Sequence, residues 1–353
     1  MKKNIIFCGT PDFAATTLKS LFTCHKQGRF NLSSVITIPD KKVGRGQKKQ
    51  QSAVKRAATE LNIPVLEPSD LLNETFIKQV KSLEPDLIIV IAFKKLPKIL
   101  FKIPKLGTIN LHASLLPKYR GAAPINWAIV NGETETGLTT FFINEKIDTG
   151  DIILQSKIPI QKHWHANDLH DKLMEKSPNI IIETIEKIFD KNYNLKQQSH
   201  IEEGLIANKL PIAPKIEKKD RILNLKHFLG NEGVQKAYNF IRGMSPPGVR
   251  VTIEIRQTNN KIKTQTILIT QVFNYIKNFD NDLPDKKGHR INTSELCILK
   301  INNCLKITNS KQDYSFQIKK LKPENSKEMS DKEFINGFLN TAYEDIRIIN
   351  SEI

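Results

Sequence analysis

Asn110 and His112 lie two residues apart in the stretch from Gly107 to Trp127, in a run that reads as a short β-strand. Alternate side chains of a strand share a face, so the carboxamide and the imidazole point the same way. One supplies a neutral hydrogen-bond donor and the other a proton acceptor. These are the parts needed to steady a developing oxyanion and to take a proton from a nucleophile. Asp148 follows in Asp148-Thr149-Gly150, which has a turn's composition and comes after the next predicted strand, 137–143. A carboxylate near the imidazole would orient its tautomer and stabilise its protonated form. Taken singly, His112 reads as a satisfied core histidine and Asp148 as a turn residue. Together with the strand break at Ser114-Leu115-Leu116-Pro117 and a turn at Arg120-Gly121, where a ligand could lie against backbone, the three read as a catalytic trio. This chemistry requires no metal.

A second constellation is basic. Lys41, Lys42, Arg45, Lys48 and Lys49 surround Gly44 and Gly46, giving a loop with backbone freedom and phosphate affinity that should fall steeply with salt. The plainer reading of such a charge run is a solvated surface loop. The formal net charge is +17, with the excess spread over both halves of the chain. A strong positive field suggests a polyanionic partner such as nucleic acid. Compositional bias is the alternative, because Lys, Ile and Asn are all abundant. Lys209, Lys215, Lys218, Lys219, Arg221, Arg242 and Arg250 could form a phosphate-tracking surface further on, or merely a basic exterior.

Strands and helices must position these residues. A strand at 3–8, a glycine turn and a helix at 13–22 are followed by a strand at 32–38, helices at 52–61 and 70–82, and a buried strand at 86–91. This alternation predicts an α/β fold, a doubly wound, mostly parallel, Rossmann-like domain over 1–189. Its strand ends, at Gly9-Thr10-Pro11, Pro39, Ala92-Phe93 and Ala113–Pro117, should converge on one crevice. Neither G-x-G-x-x-G nor a P-loop is present, so a dinucleotide or nucleoside triphosphate site has no support. An amphipathic helix is expected over 167–189, and residues 190–208 read as a linker. From 209 to 353 the pattern changes to a short helix at 231–242, strand-like runs at 249–256, 262–272, 294–300, 303–308 and 314–321, and a closing helix at 330–342. This predicts a small all-β, OB-like barrel domain, with 274–292 as a long polar loop.

Charged residues at 26% and hydrophobic ones at 39% are those of an ordinary soluble protein. No run of about 18 apolar residues suggests a membrane span, and no signal-peptide pattern opens the chain, so a cytoplasmic monomer is expected. Cys8, Cys24, Cys297 and Cys304 make no CxxC pair, which argues against a zinc site or a disulfide framework. His163, His165 and His170 near Asp168 lack ligand spacing and read as a solvated helix start.

The motifs Gly9-Thr10-Pro11-Asp12-Phe13-Ala14, Pro39-Asp40 with Gly44-Arg45-Gly46, Asn110 to Pro117, Arg120 to Ile125 and Asp148 to Asp151 occur in order. Together the chain resembles the methionyl-tRNA formyltransferases, densely over its first 190 residues and thinly beyond. The central motif is shared by other enzymes that use 10-formyltetrahydrofolate. The resemblance implies transfer of a formyl group from 10-formyltetrahydrofolate to the α-amino group of methionyl initiator tRNA. Asn110, His112 and Asp148 match the family's catalytic trio, Ser114, Leu115, Leu116 and Pro117 its folate-contacting segment, and Arg45 a residue of its tRNA-acceptor loop. The chain departs from the family pattern at Ala92-Phe93-Lys94-Lys95-Leu96-Pro97, a loop bordering the folate pocket. The rival readings are a formyltransferase for a small amine, such as a purine precursor or an amino sugar, and a tRNA-binding protein without catalysis.

Overall fold

The structure is a computed structural model and describes residues 2–43, 48–199, 210–229, 232–257, 259–277, 296–301, 304–309, 314–339 and 343–349. The chain divides into two compact units. The first comprises residues 1–124, 135–159 and 170–214, and the second residues 125–134, 160–169 and 215–353.

The first unit begins with β1 (Asn4–Gly9), α1 (Asp12–Lys26), β2 (Asn31–Ile36), β3 (Lys41–Val43), β4 (Lys48–Gln50), α2 (Ala53–Glu60), β5 (Val65–Leu66), α3 (Glu74–Ser82) and β6 (Leu87–Ile91). It continues with α4 (Lys98–Phe101), β7 (Thr108–His112), β8 (Arg120–Gly121), α5 (Pro124–Val130), β9 (Glu135–Phe142), β10 (Ile152–Pro159), α6 (Ala166–Phe189) and β11 (Ile212–Ala213); α5 and α6 each have residues assigned to both units. Helix starts follow local chemistry. Ser52 caps α2 by accepting from Lys55 N–H, and Asn73 caps α3 by accepting from Phe76 N–H. The sheet order is β10-β9-β7-β6-β1-β2-β5, with the five strands from β7 to β5 parallel and β9 and β10 antiparallel. The doubly wound, mostly parallel prediction therefore holds. Strand β10 had no counterpart in the sequence reading.

One face of the sheet packs Ile6, Cys8, Ile88 and Val90 against Phe76, Ile77 and Val80 of α3 and Leu100 and Phe101 of α4. On the opposite side, Thr140 of β9 hydrogen-bonds to Thr184 of α6, and Thr17 of α1 bonds to Ser177 of α6. Two local expectations change. The basic segment 41–49 is not simply a loop, because β3 and β4 pair as an antiparallel hairpin, Lys42 opposite Lys49. Residues 44–47, including Arg45, lie outside the described residues. Arg120-Gly121 is not a free turn, because these residues form β8, paired in parallel with β11. The partner comes from some ninety residues away in sequence, and a single sequence gives no sign of such a pairing.

The second unit contains α7 (Gly233–Gly243), β12 (Val249–Gln257), β13 (Ile262–Lys277), β14 (Leu296–Ile301), β15 (Cys304–Asn309), β16 (Tyr314–Pro323), β17 (Met329–Ser330), α8 (Asp331–Phe338) and β18 (Tyr343–Ile349). The order β13-β12-β18-β14-β15-β16 returns to β13 through a β13–β16 pairing, which closes the ring. Closure removes the exposed sheet edges that an open antiparallel sheet would leave. The predicted OB-like barrel is thus present. The residues of the polar loop 274–292 divide: up to Lys277 they extend β13, and from 278 on they lie outside the described residues. A capping box between Ser330 and Glu333 starts α8. Trp127 and Val130 pack on the barrel core beside α7.

The reading of His163, His165 and His170 as a solvated helix start is corrected at His165. This residue is 5% exposed, and its Nε2 accepts the backbone N–H of Val272 on β13 at 3.2 Å. Only a ring unprotonated at Nε2 can accept that bond. Burial pushes the imidazole down to about 4, opposed by nearby Asp168 and aided by Arg242 and Lys319. An unfolded chain binds this proton near pH 6.5 and the folded one only near pH 4, so in between the unfolded state holds more protons. Stability is therefore expected to fall as pH drops from 6.5 to 4, by up to about 3 kcal/mol from this group. Urea midpoints measured across that window should show a shallower slope for His165→Gln, which keeps an acceptor but does not titrate. Equal slopes for the two proteins would remove His165 as the source.

Candidate active site

The site lies at the carboxyl end of β7, the strand that follows the short helix α4. This helix has four residues and spans about 6 Å, whereas the five residues of β7 span about 16 Å. Thr108, at the start of β7, donates its hydroxyl to Phe101 O at the end of α4. Beyond that point Asn110 and His112 continue on the same face. Register places Asn110 beside Val90 of β6 and Phe141 of β9, and His112 opposite Thr139 of β9. Asn110 is half-buried, and among the described residues its carboxamide makes no hydrogen bond within the protein. It can therefore donate to an oxygen on a bound molecule.

His112 is 6% exposed. Its Nε2 lies 2.8 Å from Tyr119 O. A carbonyl can only accept, so Nε2 carries the proton and Nδ1 keeps its lone pair in the neutral ring. Asp148 Oδ2 lies 3.7 Å from Nδ1, too long for a hydrogen bond but close for a charge. The structure thus brings His112 and Asp148 together, as their types suggested, but it is the Tyr119 carbonyl that fixes the tautomer. The Asp148 carboxylate is itself held, because Oδ2 accepts Gly121 N–H at 3.0 Å.

Asp148 adopts φ +54°, a left-handed conformation. Its loop is pinned from several sides. Arg120 Nε and Gln198 Nε2 both donate to Asp148 O, at 2.9 and 3.0 Å, and Gln198 Nε2 also donates to Gly150 O at 2.8 Å. Gly150 passes so close to the Phe142 carbonyl that a Cβ could not fit. Gly121, at φ +128°, lies equally close to Ala213 O across the β8–β11 pair. Asn144 closes the start of the loop by accepting from Lys146 N–H and the Thr149 hydroxyl.

The segment Ser114–Pro117 turns out to be built mostly inward. Ser114, Leu116 and Pro117 are buried, and Leu115 is half-exposed. The Ser114 hydroxyl donates to Lys118 O at 2.7 Å. Thr139 organises the turn: its hydroxyl donates to Ser114 O and accepts from Leu116 N–H. Gln155 of β10 adds a bond to Leu116 O at 2.9 Å. Leu116 packs against Phe141 and Ile152. Of the four side chains, Leu115 offers the accessible apolar surface. Phe93, half-buried, and Ala92, exposed at φ +48°, lie at the end of the neighbouring strand β6. Each of these three residues leaves some apolar surface accessible. Lys41 and Lys49 are exposed on the β3–β4 hairpin. A separate groove lined by Lys81, Pro85, Lys98, Ile99 and Lys102 contains none of these residues.

Sequence reasoning missed Tyr119, Thr139, Gln155 and Gln198. Tyr119 acts through its carbonyl, which has no signature in residue type. The other three meet the site through strand register or a long return of the chain.

The profile of the formyl transferase family matches residues 1–185. The methionyl-tRNA formyltransferase of Bacteroides fragilis is 40% identical over 323 residues, covering 84% of this chain and 95% of that protein. That of Bacteroides thetaiotaomicron is 45% identical over 249 residues, 70% of this chain and 74% of that protein. Among solved structures, the sugar 3N-formyl transferase WlaRD, in the presence of dTDP and 5-N-formyl-THF, aligns over 93% of this chain and 100% of its own, with a TM-score of 0.58 and 20% identity. That likeness shows a shared fold. The sequence matches go further: the chain belongs to the formyl transferase family and, within it, to the methionyl-tRNA formyltransferases.

Proposed function

We propose that this protein transfers a formyl group from 10-formyltetrahydrofolate to the α-amino group of methionyl initiator tRNA, for translation initiation. The observation that carries the reading is the His112–Asp148 pair beside the unengaged carboxamide of Asn110, in a chain so similar to methionyl-tRNA formyltransferases. The proposed catalytic residues are Asn110, His112 and Asp148. The formyl donor supplies the one-carbon group, and this chain's residues handle charge and protons. Asn110 donates to the formyl oxygen as negative charge develops there. The amine's new bond to the formyl carbon releases a proton, which His112 accepts at Nδ1, the nitrogen with the free lone pair. Asp148 stabilises the resulting imidazolium by charge. The same proton then passes to the folate nitrogen as its bond to the formyl carbon breaks, which leaves His112 neutral for the next turnover.

The accessible side chain of Leu115 and the backbone of Ser114, Leu116 and Pro117 would flank the folate, with Ala92-Phe93 beside it. Lys41, Lys42, Arg45, Lys48 and Lys49 would contact the tRNA through its phosphates. In this reading residues 1–189 carry the chemistry, 190–208 connect, and the OB-like barrel of 209–353 adds tRNA affinity. A single chain carries the whole trio, so a monomer suffices, and both substrates place the work in the cytoplasm. Among the described residues no helix is long and apolar enough to cross a membrane.

The deciding assay offers 10-formyltetrahydrofolate with methionyl initiator tRNA or with small amines, including an amino sugar and a purine precursor. Formylation of the tRNA is expected, and acceptance by a small amine alone would overturn the assignment. His112→Ala should lower turnover by about 10²–10⁴-fold with folding intact, and near-normal turnover would remove His112 from the mechanism. Arg45→Ala should weaken tRNA binding and reduce the salt slope by about one unit with folate binding unchanged. An unchanged slope would mean that the loop is solvated surface.

A further inference from the structure

We propose that Gln198 is a positioning residue of the transfer reaction: its carboxamide holds the Asp148 loop in the conformation that faces the carboxylate to His112. The proposal rests on the formyl-transfer reading and adds a residue to its machinery from the segment of the first unit that follows α6. Gln198 is 2% exposed and all its polar capacity is directed at one place. Nε2 donates to Asp148 O and Gly150 O, and Oε1 accepts from Nε and Nη2 of Arg120. The orientation of the amide is unambiguous, because carbonyls only accept and a guanidinium only donates.

The clamp answers a specific need. Phe142, at the end of β9, lies beside Ile109, at the start of β7, while Thr139 lies opposite His112. A loop that simply continued from β9 would carry Asp148 away from the imidazole. The left-handed turn at Asp148 brings the carboxylate back, and a non-glycine residue holds such a conformation only where its surroundings impose it. Gln198 bridges the carbonyls on both sides of Thr149, so it holds the first and third of the three peptide planes between residues 148 and 151. Its anchor, Arg120, is one residue from the N–H of Gly121 that holds the carboxylate. The same Tyr119–Ala123 segment is tied again from 211–213, through Tyr119 N–H to Pro211 O at 2.6 Å and Ala123 N–H to Ala213 O at 3.2 Å. Both described flanks of residues 200–209 therefore converge on the backbone that supports His112 and Asp148.

The test compares Gln198→Ala and Gln198→Glu in the full chain, in the wild-type and Asp148→Ala backgrounds. Gln198→Glu retains an acceptor for Arg120 but cannot donate to the two carbonyls, so it separates the clamp from mere support of Arg120 and covers a failure of Gln198→Ala to fold. Both variants are expected to lower kcat at least tenfold with less than threefold change in either KM, and to have no further effect once Asp148 is absent. Equal losses in both backgrounds, or recovery of turnover by Gln198→Glu, would overturn the proposal. Amide exchange over residues 146–151 should quicken in both variants, and unchanged exchange would also overturn it. If the wild type formylates no amine, the functional reading fails by itself, and the exchange data still decide whether Gln198 holds the loop.

Discussion

The site depends on one carboxylate reaching an imidazole against the direction in which its strand runs. Asp148 does so through a left-handed backbone turn, a conformation that costs an L residue on the order of 1 kcal/mol or more. Much of the surrounding detail serves that turn. Gly121 presents an N–H that only its positive φ aims correctly, Gly150 permits contact with the Phe142 carbonyl, and β8 pairs with β11 so that Gly121 is itself fixed. These residues are scattered over the sequence and make sense together only as restraints on one loop.

The fold supplies the complementary half. A parallel strand ending in Asn110 and His112 would be covered if the preceding crossover helix ran the length of the sheet. Here α4 stops after four residues, its end bonded to Thr108 at the start of β7, and further along the strand Asn110 is half-buried and His112 buried. Adding β9 and β10 antiparallel then brings Thr139 under the Ser114–Pro117 turn, where its hydroxyl satisfies two backbone groups at once. A buried turn without those bonds would leave polar groups unpaired at about 1–3 kcal/mol each. Thr139 of β9 thus secures the Ser114–Pro117 turn.

What could be read from the sequence was what is local. The period of two joining Asn110 to His112, the βα alternation and the run of short strands after 209 all survive in the structure. Register does not appear in a single sequence, so the partners it supplies were invisible: Thr139 against His112, Arg120-Gly121 against Ile212-Ala213, and Val272 against His165. Strand β10 was missed for a related reason. Its burial does not alternate cleanly, because Ile152 and Ile153 are both buried and Leu154, Gln155 and Ser156 are all half-buried, Gln155 bonding to Leu116 O. Gln198 sits in a polar, aperiodic stretch that composition marks as linker, yet a carboxamide is suited to bridging backbone carbonyls and a guanidinium in one plane.

The 3.7 Å between His112 and Asp148 has its own consequence. A direct hydrogen bond would place the imidazole proton on Nδ1 and turn the basic lone pair toward the Tyr119 carbonyl, where it could do nothing. With Nε2–H committed to that carbonyl, the lone pair stays on Nδ1, beside a negative charge that is already bound and nearly buried. A carboxylate attracts an imidazolium and not a neutral ring. That attraction is absent while the ring is neutral and present once it accepts a proton. In the proposed mechanism Asp148 would face that lone pair without having to move. In the proposed mechanism the tether to Gly121, and not to the histidine, would keep that charge in place while the proton comes and goes.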